Sequence, residues 1–192
     1  ISSRLGTRGD GVHRLKDGHW TSFGPSEHFP DGQVISLLET TEGGRSVIWA
    51  GTQDHGLWRL DNGAWQAMLP PVPFSSAFEL LERQGAHGGS QLWLATDKGV
   101  YRYQDGQWNH WGARELGLQS PLTLCLLDTG HTGGNRSEMW AGTDRGYSVF
   151  DGANWHPTAA APGLPSSYLY RLAQTKNYLG QREIWAGTEG GL

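Results

Sequence analysis

Short apolar runs alternate along the chain with polar, glycine-rich stretches, and the alternation repeats. In one copy, residues 34–39 form an apolar run of the kind expected of a strand buried on both faces. A polar stretch over 41–46 leads to a second strand at 47–52, and Gln53, Asp54 and His55 make a tight connection. Residues 56–60 read as a third strand and 64–68 as a fourth. Between them Asp61-Asn62-Gly63 is a hairpin turn, because Asn-Gly supplies the positive φ that tight hairpins demand. A Pro-rich link, 69–73, leads to the next apolar run at 77–81. Further first strands are expected at 122–127 and 168–173, and third strands at 11–15, 99–103 and 146–150. The matching turns are Asp17-Gly18, Asp105-Gly106 and Asp151-Gly152. No segment sustains a 3.6-residue apolar period, so no substantial helix is expected.

The second strand carries a signature: Trp49-Ala50-Gly51-Thr52, Trp93-Leu94-Ala95-Thr96, Trp140-Ala141-Gly142-Thr143 and Trp185-Ala186-Gly187-Thr188, with a degraded copy at Arg4-Leu5-Gly6-Thr7. The threonines lie 45, 44, 47 and 45 residues apart. A second tryptophan follows each hairpin turn: Trp20, Trp65, Trp108 and Trp155. Four short antiparallel strands per unit of about 45 residues predict an all-β chain of β-propeller blades. A lone blade has two apolar faces and can cover neither, whereas stacking covers both and protects the edges. Each buried tryptophan hides about 150–250 Å², or roughly 4–6 kcal/mol as an upper bound, so the eight are expected to form the packing between blades. The expected units are 1–23 (partial), 34–68, 77–111, 122–156 and 168–192 (partial), about four blades in all. Strands two to four at the start and one to two at the end make the second strand redundant in a closed four-bladed ring. The expectation is therefore a segment of a larger propeller; a four-bladed ring and two chains sharing one ring are the alternatives.

Composition narrows the picture. The 192 residues include 29 glycines, 10 tryptophans and one cysteine, with net charge −4 and the two signs interspersed. That leaves no electrostatic footprint for nucleic acid and no apolar run long enough to span a membrane. The lone Cys125 excludes an internal disulfide or cysteine-based zinc site and sits in an apolar run as an inert thiol. The eight histidines lack metal-ligand spacing; His13, His19, His110 and His156 fall on or beside third and fourth strands. The stretch 128–135 lacks the alternating acids of a calcium loop and reads as a long hairpin. No metal, cofactor or catalytic motif is expected.

The last repeat runs Pro162-Gly163-Leu164-Pro165-Ser166-Ser167, an apolar strand, then Trp185-Ala186-Gly187-Thr188 and a closing Gly191-Leu192. This pattern resembles the two-component regulator propeller repeat, more loosely elsewhere: Ala95 replaces the glycine, Arg4 the tryptophan, and Phe29-Pro30-Asp31 the Gly-Leu-Pro. The resemblance implies a seven-bladed propeller, often in tandem, in the periplasmic sensor part of a bacterial histidine kinase or diguanylate cyclase. It implies a non-catalytic ligand-sensing module, with neighbouring propeller or signalling domains as partners and with dimerisation compatible. A protein-interaction scaffold is the alternative, and a propeller lyase or glycosidase the third reading.

In a propeller the connections from strand two to three, and from four to one, share one face, where ligands bind. Here the former carry Arg8 and Asp10, Asp54 and His55, Asp97 and Lys98, Asp144 and Arg145, and Glu189. They read as a polar ring suited to a sugar or a peptide, or simply as the polar turns that short strands require. Residues that break the repeat are candidates as well: His28, Phe29, Asp31, Phe74, Trp111, Arg114 and Glu115 in the long links, and Tyr168, Tyr170 and Arg171 on a first strand lining the channel.

Overall fold

The computed structural model describes residues 11–85, 89–130, 138–158, 163, 164 and 166–190. The expected strand at 4–7, the charges Arg8 and Asp10, and residues 131–135 of the long hairpin lie outside them. The described chain is all-β. Its strands are β1 (Val12–Lys16), β2 (His19–Phe23), β3 (Val34–Glu42), β4 (Arg45–Thr52), β5 (Leu57–Asp61), β6 (Ala64–Met68), β7 (Ala77–Gln84), β8 (Ser90–Thr96), β9 (Gly99–Gln104), β10 (Gln107–Trp111), β11 (Thr123–Asp128), β12 (Met139–Thr143), β13 (Gly146–Phe150), β14 (Trp155–Thr158), β15 (Leu169–Lys176) and β16 (Arg182–Thr188). Helical structure amounts to a 3₁₀ turn at Pro25–Glu27 and a single turn, α1, at Ala113–Leu116. No described helix is long and apolar enough to cross a membrane.

Among the described residues every sheet is an antiparallel meander. Three have four strands, β3 to β6, β7 to β10 and β11 to β14; two have a pair, β1–β2 and β15–β16. The first two strands of a repeat run longer than the apolar pattern suggests: β3 and β4 pair from Val34–Thr52 out to Glu42–Arg45, so the polar stretch between them is strand on both sides of a Gly43-Gly44 turn. The chain divides into two compact units, 1–77 and 78–192. In the first, Phe29 lies between Trp58 and Trp65, at 5.6 and 4.7 Å between ring centres, over Val12, Phe23 and Ala50. In the second, Trp93 stacks on Trp111 at 5.3 Å and 4°, and Phe150, Trp155, Leu116, Leu126 and Met139 complete the core.

Local chemistry explains the signature. The hydroxyls of Thr52, Thr96 and Thr143 each donate to the carbonyl of the glycine that opens the third strand, Gly56, Gly99 and Gly146, at 2.8 Å. The same oxygens accept the backbone N–H of His55, Lys98 and Arg145 at 3.0, 3.1 and 3.0 Å. One buried side chain thus closes each turn and fixes the start of the next strand. The small signature residue provides close approach: a Cβ on Gly142 would meet Cys125 Sγ at 2.5 Å and Leu169 Cβ at 3.1 Å, and one on Gly51 would meet Ala77 Cβ at 3.1 Å. The hairpins at Asp17-Gly18, Asn62-Gly63 and Asp105-Gly106 have φ of 50 and 78°, 51 and 85°, and 49 and 79°, the primed-turn conformation. The fourth differs. Residues 151–154 form a wider loop in which the Asp151 carboxylate accepts from the N–H of Ala153 and Asn154 and from His156, each at 2.8 Å.

Burial of all eight tryptophans does not hold. Trp49, Trp93, Trp65 and Trp155 are buried and Trp108 and Trp140 half-buried, but Trp20 is 69% and Trp185 50% exposed. These two belong to the two-stranded sheets, which have fewer strands to cover a face. Buried tryptophans also meet cations: Arg59 lies over Trp49 at 5.5 Å, and Arg102 over Trp93 and Trp111 at 5.6 Å each.

Replacing Thr96 by valine removes the hydroxyl that serves the Lys98 N–H and the Gly99 carbonyl, and is expected to cost about 1–3 kcal/mol of unfolding free energy. Thr96→Ser, which keeps the hydroxyl, is expected to cost less than about 1 kcal/mol. Urea denaturation followed by tryptophan fluorescence decides; equal losses in both variants would refute the hydroxyl lock.

Candidate functional site

A bulge is built into the first strands. In β3, β11 and β15 the register shifts between residues 34 and 36, 123 and 125, and 169 and 171. A bulge leaves one residue unpaired and re-aims its side chain. In β15 that residue is Tyr170, which stands 49% exposed with its ring 4.9 Å from Tyr168. The residue after the bulge is Ser36 in β3, Cys125 in β11 and Arg171 in β15. The matching position in β7 is Glu79, two residues after Ala77, because Ala77 meets Gly51 as Leu169 meets Gly142. Equivalent positions in the second unit thus carry an acid, a thiol and a base.

These groups meet. Glu79 Oε1 accepts from Arg171 Nη1 at 2.6 Å, and Oε2 accepts from the Leu126 N–H at 2.7 Å. One carboxylate on β7 therefore spans β11 to reach β15. Burial pushes the Glu79 carboxyl above its ordinary value; the Leu126 N–H and the Arg171 guanidinium pull it down without winning. Cys125 is pushed up to about 12, first by burial and then by the Glu79 charge. Its thiol, 3.7 Å from the Leu169 carbonyl, stays neutral and is a packing group.

A second group of residues adjoins this row. The Asp144–Arg145 turn is tied to the residues before β15, where the Gly146 N–H donates to the Ser167 carbonyl at 2.8 Å and the Ser167 hydroxyl to the Asp144 carbonyl at 3.5 Å; the Glu189 N–H, after β16, donates to the Tyr168 carbonyl at 3.2 Å. Burial, Tyr170, Asp144 and Glu189, in that order, raise the Tyr168 phenol. Asp144 Oδ1 is buried and lacks a hydrogen-bond donor among the described residues. The result is a surface in the second unit with two tilted phenols and a guanidinium that is 63% exposed, beside the largely buried Asp144 side chain.

The remaining candidates are placed as follows. Asp97 and Lys98 pair within their own turn at 3.7 Å, and Asp144 and Arg145 at 3.8 Å. Adjacent, exposed pairs of this kind contribute little. Asp54 and His55 are exposed on the β4–β5 turn in the first unit, the His55 ring lying over Gly32. Trp111 is occupied in the core between Trp93, Phe150 and Trp155. Arg114 is exposed on α1, where Glu115 accepts the Gly112 N–H at 3.0 Å. Phe29 is buried, and His28 holds the left-handed end of the 3₁₀ turn. Among the described residues no three His, Cys, Asp or Glu side chains converge to hold a metal ion. Sequence reasoning overlooked Glu79, which sits inside an apolar run. The available signal was an acid at the repeat position where the last copy has an arginine.

No family model and no curated protein matches the chain. Solved structures do. Two crystal structures of the extracellular domain of BT4673 from B. thetaiotaomicron, described in one as a one-component and in the other as a hybrid two-component system, match with TM-scores of 0.67 and 0.68. Identity is 23% and 22%, so the likeness concerns the fold. The match covers 95% of this chain and 24% of theirs, so the chain spans about a quarter of those structures.

Because Glu79 titrates above its ordinary 4.5 in the folded chain, the folded state holds a proton over a window in which the unfolded chain has released it. Stability from this residue therefore rises as pH falls from the raised value toward 4.5, and is lost as pH climbs. Wild type is expected to gain stability relative to Glu79→Gln on acidification through that window, read from urea midpoints. Parallel pH profiles would count against this assignment.

Proposed function

We propose that the repeated sheets are blades of a β-propeller, and that the chain is part of a non-catalytic input module of a bacterial signalling receptor, sensing a ligand outside the cytoplasm. The observation carrying this reading is the shared fold over nearly the whole chain with the extracellular domain of a hybrid two-component system. Repeats of about 45 residues support it. The ligand surface is the first-strand row of the second unit. Tyr170 and Tyr168 offer aromatic faces, Arg171 offers guanidinium donors beyond its bond to Glu79, and the partly exposed Asp144 carboxylate accepts. Two phenols beside a donor and an acceptor suit a carbohydrate or a short peptide. In the longer receptor, neighbouring propeller or signalling domains are the partners expected to read the bound state.

Isothermal titration of the chain against oligosaccharide and peptide panels is expected to find a ligand that competes for this surface. Tyr170→Ala and Asp144→Asn are each expected to weaken binding about five- to tenfold, while Arg114→Ala on α1 leaves it unchanged. Binding indifferent to Tyr170 and Asp144 would dismiss the site; an empty panel, with the surface found covered by another domain, would replace sensing with scaffolding.

A further inference from the structure

One side chain holds three consecutive first strands. Glu79 on β7 accepts from the Leu126 N–H of β11 through Oε2 at 2.7 Å and from Arg171 of β15 through Oε1 at 2.6 Å. A charged carboxylate can do both, because each oxygen then acts purely as an acceptor. A proton changes the count. The neutral carboxyl keeps one good acceptor oxygen while the other carries O–H, so two donors are left with one acceptor.

The two donors are not equivalent. Leu126 is 3% exposed, and a main-chain N–H left there without an acceptor pays the full cost of its desolvation. Arg171 carries its charge at the end of a long flexible stem and can turn its donors to water. The proton therefore displaces Arg171 and leaves the Leu126 bond in place. Burial favours the neutral form of Glu79, so the change comes at milder pH than an exposed glutamate requires.

Two titratable groups face Glu79: Arg171 from β15 and Cys125 from β11. The thiol stays neutral against the Leu169 carbonyl and does not compete for the guanidinium. The other charges of β7 are engaged elsewhere, Glu82 with Ser90 and Arg83 with Asp128. Asp144 and Glu189 bear on Tyr168.

We propose that a proton on Glu79 switches Arg171 between two states. With the carboxylate charged, Arg171 is clasped to β7 across β11. With the proton on, the clasp opens, the Leu126 bond stays, and the guanidinium is free for the surface beside Tyr168 and Tyr170. The switch lies in the chain itself; that the freed guanidinium serves a ligand rests on the ligand surface proposed for β15.

Nuclear magnetic resonance of the ¹⁵N-labelled 192-residue chain tests the switch without any ligand. The Leu126 amide and the Arg171 side-chain N–H, the latter assigned by its loss in Arg171→Lys, are followed as pH falls. Both are expected to shift with one shared midpoint above 4.5, and Glu79→Gln to remove both steps. Below that midpoint Leu126 is expected to stay protected from hydrogen exchange. At one fixed pH above it, p-hydroxyphenylglyoxal is expected to modify Arg171 about two- to fivefold faster in Glu79→Gln than in wild type, read by peptide mass. A Leu126 amide that titrates while Arg171 stays still overturns the proposal. So does loss of Leu126 protection in place of Arg171 release, or equal modification rates in the two proteins. Release of Arg171 with no oligosaccharide or peptide bound refutes the ligand surface and upholds the switch; binding through Tyr170 with no Arg171 titration does the reverse.

Discussion

In three of the sheets a single hydroxyl at the end of the second strand fixes where the third strand begins. A polar group buried between strands costs free energy unless its donor and acceptor capacity is used. Thr52, Thr96 and Thr143 use both, giving a proton to the carbonyl that opens the third strand and taking one from the turn. The third strand then starts at a fixed residue, which fixes what faces the tryptophan three residues before the threonine. In two sheets that is an arginine, so cation, indole and hydroxyl act as one unit. Shifting the pairing by one residue would turn every side chain to the opposite face.

Much of this was legible in the chain. Strand order, turns and the small signature residue follow from glycine, Asn-Gly and the spacing of the tryptophans, because each answers a local steric demand. What could not be read depends on groups distant in sequence. Trp111 and Phe29 broke the repeat and so suggested binding; both rings are consumed by neighbouring aromatic rings. Trp20 and Trp185 matched the repeat and so suggested burial; both are exposed, since covering them depends on adjoining strands rather than on their own identity. Glu79 was hidden by its apolar neighbours, and its partner Arg171 is 92 residues away.

The candidate surface joins these two lessons. Repetition supplies four matching positions near the start of the first strands, three of them just after a bulge. Serine, glutamate, cysteine and arginine fill them, so the backbone is common and the chemistry is not. Glu79 and Arg171 neutralise one another across the Cys125 strand, while the bulge turns Tyr170 outward and Asp144 keeps an oxygen without a donor. Scaffold and surface are therefore specified by different residues a few positions apart.

The meander connectivity has a consequence for how the molecule acquires its structure. Every pairing in every sheet joins strands adjacent in the chain, across connections as short as two residues. The loop entropy surrendered before each pairing is rewarded is small. Each sheet is therefore a local event, with docking of sheet on sheet as the later, slower step, and the route to the native state is short-range despite an all-β architecture of a kind that elsewhere folds slowly.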